Sequence, residues 1–276
     1  MIKIIRFKGG LGNQMFQYAF YLALKKRFPL SLFLFEMEEA LHCHGGYCLD
    51  KICKVRTAKI EQRYQYTKLH LPWLLEKSHH VCQKNSLQYE PAYFNRKYPI
   101  LIFDGYWQSE KYFYSIKNQV RETFSFEKTL LNEKSKELAN IISSGNYISV
   151  HIRRGDYLSL SDYFGLCTLD YYLKAIETLR KNIDKPRFVF FSDDIDWTRN
   201  NIPINNSIYV DWNKGKDCWQ DMYLMSHCKH NIIANSSFSW WGAWLNNNPR
   251  KIVIAPKRWF IFSPNYDIIP AGWTTI

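Results

Sequence analysis

The segment 151–156, with the sequence HIRRGD, gathers a histidine, two arginines and an acid directly after an apolar stretch typical of a strand. Alternation along an extended chain places His151 and Arg153 on the same side and turns Arg154 away. A guanidinium holds a diphosphate through two parallel hydrogen bonds, so the pattern favours a phosphorylated ligand bound by Arg153 with His151 beside it. The alternative is that one of the arginines only pairs with Asp156 and fixes the turn.

A second polar cluster, Asn235-Ser236-Ser237, follows the apolar residues 232–234 and precedes a pattern typical of a helix. The free backbone N–H groups and the dipole of a helix start attract phosphate. Ordinary N-capping by Ser236 or Ser237 uses the same atoms, so phosphate binding and capping both stay open at this point.

Two segments contain residue types that bind metals. The segment 192–196 (SDDID) follows an apolar run and could hold Mg²⁺ or Mn²⁺ on a nucleotide diphosphate. Short Asp-x-Asp patterns are common by chance, however, and acids are favoured at helix starts. The segment 42–44 (HCH), followed by Cys48 and Cys53, lacks the Cys-x-x-Cys spacing of common zinc sites. We therefore expect no bound metal.

Charge and composition limit the class of protein. The 37 Lys and Arg residues exceed the 25 Asp and Glu residues by 12, which favours an anionic partner: nucleic acid, an acidic membrane surface or a phosphorylated substrate. These basic residues are dispersed, so a generally basic surface explains them equally well. Hydrophobic residues make up 46% of the chain, enough for a packed core. The short apolar start without a cleavage site, and seven cysteines without a regular framework, predict a cytoplasmic protein.

The first half opens with a predicted strand at 3–7, a glycine turn at 9–12 and a helix from Asn13 with one apolar face. Pro29 ends this helix, since proline removes a backbone donor and clashes with the preceding turn. Further elements are predicted as strands at 31–35 and 100–103 and a helix ending near residue 124. Residues 36–98 show no clear periodicity.

From residue 126 onward, single predicted helices separate the predicted strands. The strands are at 147–152, 187–191, 207–210, 231–234 and 251–254, and the helices at 129–143, 169–182, 217–228 and 238–245. This alternation predicts a parallel sheet covered on both faces, with ligands beyond the carboxyl ends of its strands. We expect three tryptophans of the last helix to be core residues rather than a sugar platform: Trp240, Trp241 and Trp244.

Three separated matches give the sequence a family resemblance: the segment 9–19 (GGLGNQMFQYA), the HIRRGD segment, and the stretch from Asp221 to Trp241. The sequence resembles the bacterial α-1,2-fucosyltransferases of glycosyltransferase family eleven. The resemblance implies a GT-B-like α/β fold, in which two Rossmann-like domains with parallel sheets face a cleft. Residues 1–125 then form the acceptor-side domain, and residues 126–276 form the GDP-fucose-binding domain.

The resemblance also implies the reaction, an inverting transfer of L-fucose from GDP-β-L-fucose to a glycan hydroxyl. The expected hydroxyl is O2 of a terminal galactose, on an oligosaccharide or a lipid-linked acceptor, with no metal, no cofactor and no nucleic acid. Peripheral contact with the inner membrane would suit a lipid-linked acceptor and a basic, aromatic surface. The alternatives are another fucosyl linkage, a noncatalytic glycan-binding protein suggested by the aromatic residues, and a nucleic-acid binder suggested by the charge.

Residue roles follow from the same resemblance. Arg153 contacts the β-phosphate, and His151 lies against the nucleotide. Asp221, sixteen residues before the phosphate-binding Ser237, meets the guanine amino edge. Asn13 faces the sugar or diphosphate across the cleft, so Arg153 and Asn13 are the expected catalytic residues. The other expected donor-binding residues are Gly10, Gly12, Arg154, Asp156, Asp193, Ser236 and Phe238.

Some of these residues have alternative roles. Asp221 could be a charge at a helix start, and Gly10 and Gly12 could serve only to permit positive φ in the turn. No general base is singled out, because a loose transition state demands little help from one. The candidates are Asp156, Asp104 and Glu110.

Overall fold

The computed structural model describes residues 1–37, 46–47, 49–53, 55, 78–84, 87–159, 165–261 and 267–276. The chain divides into two compact units, Met1–Glu127 with Tyr266–Ile268, and Lys128–Asn265 with Ile269–Ile276. This division falls two residues after the predicted junction at 125/126. Asp267, which the prediction assigns to the second domain, groups with the first unit, where its backbone N–H donates to the Leu87 carbonyl at 2.9 Å.

In the first unit, the described strands form one parallel sheet. They are β1 (Ile2–Arg6), β2 (Leu32–Glu36), β3 (Ser78–Cys82) and β4 (Ile100–Asp104), in the spatial order β2-β1-β4-β3. β1 and β4 are adjacent although β2 and β3 come between them in the chain. Strand order reverses there, and such a switch point is where ligands bind in open parallel sheets. β3 lies in the region 36–98, for which no element is predicted.

Helix α1 (Leu11–Arg27) begins two residues before the predicted start and ends before Pro29, as expected. Nearly every position from Leu11 to Leu24 is buried, so the predicted single apolar face is wrong: neighbouring elements cover the helix all round. The remaining described helices of this unit are α2 (Leu49–Ile52) and α3 (Lys117–Thr123), with 3₁₀ turns at Pro91–Asn95, Glu110–Tyr112 and Tyr114–Ile116.

In the second unit, the described strands also form one parallel sheet. They are β5 (Tyr147–Ile152), β6 (Arg187–Ser192), β7 (Ile208–Val210), β8 (His230–Ile232), β9 (Val253–Ala255) and β10 (Thr274–Thr275), in the order β10-β9-β8-β5-β6-β7. The chain adds β6 and β7 on one side of β5, then crosses to β8 and continues outward to β10. The switch point therefore lies between β5 and β8. The five predicted strands are confirmed, β5 at its predicted bounds and the others with shifted ends, and β10 is an addition.

The helices of the second unit cover its sheet. They are α4 (Glu133–Ser143), α5 (Gly155–Ser159), α6 (Leu169–Asn182), α7 (Ile195–Asn201), α8 (Trp219–His227) and α9 (Ser237–Leu245), with 3₁₀ turns at Lys128–Leu130 and Gly215–Asp217. The four predicted helices are confirmed, α6 at its predicted bounds. α5 and α7 have only five and seven residues, too few to show a helical period.

Helix α9 contributes three tryptophans to the core of this unit. Trp240, Trp241 and Trp244 are buried, which confirms their predicted packing role. A Cβ atom on Gly242 would lie 2.9 Å from Met225 Cβ, so glycine is required for α9 to approach α8 this closely. None of the described helices is both long enough and apolar enough to span a bilayer.

Candidate functional site

The carboxyl end of β5 presents a neutral histidine beside an arginine. β5 is buried along its length, and His151 near its end is only 5% exposed. Burial, together with the nearby Arg153 guanidinium, lowers the pKa of His151 to about 3, so the imidazole is uncharged at physiological pH. Its Nδ1 atom has no hydrogen-bond partner among the described residues, and its ring centre lies 5.7 Å from that of Phe238. The positive charge at this strand end therefore resides on Arg153.

Two carboxylates hold the Arg153 side chain. One nitrogen lies 2.8 Å from Asp156 Oδ1 and another 3.0 Å from Asp193 Oδ2. Burial opposes the charge, but the two carboxylates outweigh it and raise the pKa of Arg153 above its ordinary value. Both contacts are ion pairs, and the Arg153 side chain remains 27% exposed. The pairing with Asp156 is thus present, and donors remain for an anionic ligand.

Arg154 is directed elsewhere. Its guanidinium lies 3.8 Å from the ring centre of Trp197, and its Nε donates to Asp194 at 3.3 Å. The alternative of an ion pair between Arg154 and Asp156 is wrong, because Arg154 pairs instead with Asp194, which follows β6. The structure thus separates Arg154 from Arg153, as strand alternation predicts, and places it against the start of α7.

Asp193 fastens the loop after β5 to the end of β6. Its Oδ1 accepts the backbone N–H of Arg154 at 2.9 Å, while its Oδ2 pairs with Arg153. A Cβ atom on Gly155 would lie 2.8 Å from that Oδ2, so this glycine makes room for the carboxylate. Gly155 was not predicted as a site residue, although its place directly after two arginines is a usable signal.

In the segment 192–196, for which a metal site was the alternative, the carboxylates already contact other groups of the protein. Asp194 caps α7 by accepting the Trp197 N–H at 3.2 Å, and the exposed Asp196 lies 3.4 Å from Arg199. In the part of the chain that the structure describes, no three His, Cys, Asp or Glu side chains are grouped to hold a metal. Residues 42–44 and Cys48 of the second metal hypothesis lie outside the described residues.

The start of α9 lies beyond the end of β8, the strand next to β5. Ser236 is the N-cap: its hydroxyl accepts the Phe238 N–H at 3.3 Å. The capping role is therefore present at Ser236. Ser237 is partly exposed and its hydroxyl has no hydrogen-bond partner in the described ranges. That hydroxyl, together with the helix start, offers donors to an anion.

Tyr157 connects the two loops. Its ring centre lies 5.5 Å from the Arg153 guanidinium, and its hydroxyl donates to the Asn235 carbonyl at 3.2 Å. Asn235 in turn donates from Nδ2 to the carbonyls of Gly165 and Trp259, each at 3.0 Å. The loop after β5 and the start of α9 are thus fixed to each other. Neither Tyr157 nor Asn235 was predicted as a site residue, because these bonds join distant segments.

Asp221, in the first turn of α8, is a carboxyl group with an unusual proton affinity. Burial raises its pKa to about 8, although a hydrogen bond from Asn213 partly opposes the shift. Burial and the Asp221 carboxyl raise the pKa of Cys218 and the Arg153 guanidinium opposes this, so both predicted residues act on the same thiol. At neutral pH the carboxyl is largely protonated, and a partner that donates hydrogen bonds to it favours the ionised form.

Asn213 orients the Asp221 carboxyl. Its Nδ2 donates to Asp221 Oδ1 at 2.8 Å. Its Oδ1 accepts from Asn132 Nδ2 at 2.9 Å and from Ser135 Oγ at 3.2 Å. Two donors on one oxygen fix the direction of the amide, so its N–H group must face Asp221. Asn213 is a positioning residue that sequence patterns missed, because its partners lie about 80 residues away in the chain.

The role of the Asn213 amide can be tested by removing it. We expect Asn213→Ala to raise the pKa of Asp221 further above about 8, because a donor that stabilises the carboxylate is lost. A ¹³C NMR titration of aspartate carboxyl carbons measures the shift, and the double variant with Asp221→Asn identifies the signal. Asn201→Ala, an exposed asparagine on α7, is the matched control and leaves the titration unchanged. An unaltered or lowered pKa in Asn213→Ala would contradict the assigned role.

In the first unit, the backbone of the glycine turn tests the alternative role of Gly10 and Gly12. The left-handed residue of the turn is Gly9, with φ of 72°, whereas Gly10 is extended with φ of −74° and Gly12 lies inside α1. The alternative role of permitting positive φ is therefore wrong for Gly10 and Gly12, and their expected donor-binding role stays a prediction. A Cβ atom on Gly9 would lie 2.6 Å from Asn13 Nδ2, so the turn packs directly on the Asn13 side chain.

Asn13 lies at the switch point of its own sheet. Its Oδ1 accepts from Gln108 Nε2 at 2.8 Å, across the loops that follow β1 and β4. The residue before Gln108, Trp107, has φ of 55°, a strained conformation for a side chain of its size. Its parallel stacking on Phe20 at 4.1 Å and its complete burial stabilise that conformation. The catalytic role of Asn13 stays a prediction.

Of the candidate bases, Asp104 is firmly paired. Arg6 and Lys8 donate to its two oxygens at 2.6 and 2.8 Å. Burial opposes ionisation, but these hydrogen bonds outweigh it and lower the pKa of Asp104. A carboxylate stabilised in this way is a weak proton acceptor. Asp156 is likewise paired with Arg153, so neither acid is marked as a general base.

The chain is similar to known glycosyltransferases along most of its length. The sequence profile described as glycosyl transferase family 11 matches residues 2–275. An α-1,2-colitosyltransferase of Escherichia coli is 36% identical over 295 aligned positions, covering 100% of this chain and 99% of the relative. The galactoside α-(1,2)-fucosyltransferase 1 of Lagothrix lagotricha is 27% identical, covering 86% of this chain and 63% of the relative.

Solved structures give the same architecture. The NodZ α-1,6-fucosyltransferase of Bradyrhizobium, co-crystallised with GDP, matches with a TM-score of 0.56 and 14% identity, over 92% of this chain and 94% of that chain. Identity at this level concerns the fold alone. Together with the two parallel sheets, it confirms the predicted GT-B-like α/β fold.

Proposed function

The chain belongs to glycosyltransferase family 11, and from this premise we propose that it transfers L-fucose from GDP-β-L-fucose to a glycan hydroxyl, with inversion and without a metal. The hydroxyl is O2 of a terminal galactose, on an oligosaccharide or a lipid-linked glycan. One observation carries the proposal. At the switch point between β5 and β8, the cationic Arg153 and the neutral His151 lie next to the start of α9.

The donor is held in two parts. Arg153 and the Ser237 hydroxyl, with the backbone N–H groups at the start of α9, bind the diphosphate. The Asp221 carboxylate accepts the N1–H and N2–H groups of guanine, an edge that adenine lacks. Asn213 keeps that carboxyl in the required direction. The uncharged His151 packs against the nucleotide without adding a charge that would need neutralising.

The chemistry is a displacement at the anomeric carbon. The acceptor oxygen forms a bond to C1 of fucose while the bond from C1 to the β-phosphate oxygen breaks, through an oxocarbenium-like transition state. Negative charge grows on the departing GDP, and Arg153 stabilises it in a partly desolvated site. Asp156 and Asp193 fix the guanidinium beforehand, so no reorganisation is needed during transfer. The acceptor proton leaves late, to solvent or to a carboxylate.

A second candidate donor is GDP-colitose. The E. coli relative named a colitosyltransferase is 36% identical to this chain along nearly its whole length. Colitose is fucose without the C3 hydroxyl, so the two donors differ in one hydrogen-bonding group. A site that binds this hydroxyl rejects the deoxy sugar by about 10⁴-fold, whereas a site that only packs against C3 discriminates by about 10²-fold or less.

The test uses both donors with lactose in the presence of EDTA. We expect GDP-fucose to yield a fucosylated lactose whose NMR spectrum shows an α linkage to O2 of galactose, at the same rate with and without EDTA. Faster transfer from GDP-colitose would favour the second candidate. A β-linked product, or loss of transfer on chelation, would contradict inversion or metal independence respectively.

A further inference from the structure

One edge of the first-unit sheet combines exposed leucines with basic residues. In a parallel sheet all strands begin at the same edge, and a helix that follows a strand returns its carboxyl end there. Backbone hydrogen bonds join Leu32 N to the Met1 carbonyl at 3.0 Å and Ile2 N to the Pro99 carbonyl at 2.8 Å. We call this surface the amino edge and define it by Met1, Leu30, Leu32 and Tyr98, with Lys25, Lys26, Arg27, Arg96 and Lys97.

Apolar exposure is concentrated on the amino edge. In the described ranges, ten large apolar side chains are strongly exposed, and four of them lie on this edge. Leu30 is 97% exposed and Leu32 56%. Scattered single leucines need no explanation, but a group along adjacent strand starts marks a surface that contacts something apolar.

The basic residues surround these leucines. Lys25, Lys26 and Arg27 end α1, and Arg27 donates to Asn95 at 3.0 Å, which links the helix end to the segment before β4. The α1 dipole accounts for cations at its last turn, but not for Arg96 and Lys97. Among the described residues, none of the three cations Lys26, Arg96 and Lys97 pairs with a carboxylate, so their charge is available to an anionic partner.

We propose that the amino edge binds the surface of an anionic phospholipid bilayer. Leu30 and Leu32 enter the headgroup region, and the five cations lie among the lipid phosphates. A nucleic acid would match the charge but leave the leucines in water, so the combination favours lipid. β1 has five residues and spans about 16 Å. The loops after β1 and β4 therefore stay clear of a membrane that contacts the amino edge.

The test is sedimentation of the full chain with phosphatidylcholine vesicles, with and without phosphatidylglycerol, at low salt. We expect binding only to the anionic vesicles, weakened by added salt. The double variant Lys26→Glu with Lys97→Glu lowers the partition coefficient at least about tenfold, and Leu30→Ser lowers it about fivefold. The control variants Lys174→Glu with Lys181→Glu, and Leu173→Ser, alter exposed residues of α6 and keep wild-type binding.

Three outcomes would overturn the proposal. The first is that wild-type protein ignores anionic vesicles. The second is that the control variants lose as much binding as the amino-edge variants, which points to net charge alone. The third is that Leu30→Ser changes nothing while the charge reversals weaken binding to a DNA oligonucleotide as strongly as to vesicles. Because none of these residues touches the proposed donor site, transfer to soluble lactose stays unchanged in every variant, which separates this inference from the proposed function.

Discussion

Arg153→Ala is expected to lower kcat about 10²–10³-fold while the protein remains folded. The guanidinium is the charge that meets the departing diphosphate, and a lysine ammonium lacks its paired hydrogen-bond geometry. Its two partners, Asp156 and Asp193, are partly exposed, so water can solvate them once the arginine is gone. Circular dichroism and thermal unfolding check the fold, and initial rates at saturating donor measure kcat.

Arg154→Ala is the matched control for this variant. The two arginines are neighbours in sequence, but Arg154 packs on Trp197 and pairs with Asp194. Its removal is expected to lower the unfolding temperature and to leave kcat largely unchanged. Arg153→Lys adds a second comparison, because it keeps the charge but loses the bidentate grip. A folded Arg153→Ala enzyme with near-wild-type kcat would contradict the role assigned to the residue, as would an equal loss of rate in Arg154→Ala.

Asp221→Asn is expected to weaken GDP binding about 100-fold and to stabilise the free protein at alkaline pH. Asparagine presents one carbonyl oxygen and an N–H group to the two donors of guanine, so one hydrogen bond is lost and one contact becomes repulsive. Isothermal titration calorimetry measures the affinity. Asp170→Asn changes a carboxylate that also lies in the first turn of a helix, and this control should bind GDP like the wild type.

The stability effect of Asp221 follows from its raised pKa. The folded protein holds this proton more tightly than the unfolded chain, with a pKa of about 8 against an ordinary value of about 4. Between the two pKa values the carboxyl is ionised in the unfolded chain but protonated in the folded protein, so the free energy of unfolding falls as pH rises. Above the folded pKa this loss of stability is constant. Asp221→Asn removes this cost, so the gain in unfolding temperature grows between about pH 4 and about pH 8.

The same proton couples to the ligand. Guanine needs the ionised carboxylate, so wild-type affinity for GDP should rise towards about pH 8 and then level off, with proton release on binding. Buffers of different ionisation enthalpy reveal that proton in calorimetry. A wild-type affinity independent of pH, or an Asp221→Asn variant less stable at alkaline pH, would contradict the assignment of Asp221 to the guanine edge.

Local patterns predicted the elements that repeat and the residues that directly follow them. The helix at 169–182 and the alternation after residue 126 are periodic, and the charged loop after β5 stands out in composition. Arg153 and Ser237 were singled out because each follows a predicted strand, and their phosphate contacts were assigned from the family resemblance. The direction of Arg154 was predicted from strand alternation, but its partner was not, because Asp194 lies on another strand end.

Bonds between distant segments account for most of what the sequence could not predict. The amide of Asn213 receives its direction from Asn132 and Ser135, and Tyr157 reaches Asn235 across 78 residues. The strand β3 lies within a stretch whose period is too weak to read. Gly9 and Gly10 differ in φ although they are identical neighbours, so the local sequence does not show which of them is left-handed.

A crystal structure of the protein with GDP tests the central claim most directly. We expect the diphosphate to contact the Arg153 guanidinium and the Ser237 hydroxyl at the carboxyl ends of β5 and β8, with the guanine edge on Asp221. Phosphates bound by other residues, with no contact to the Arg153 guanidinium, would contradict it.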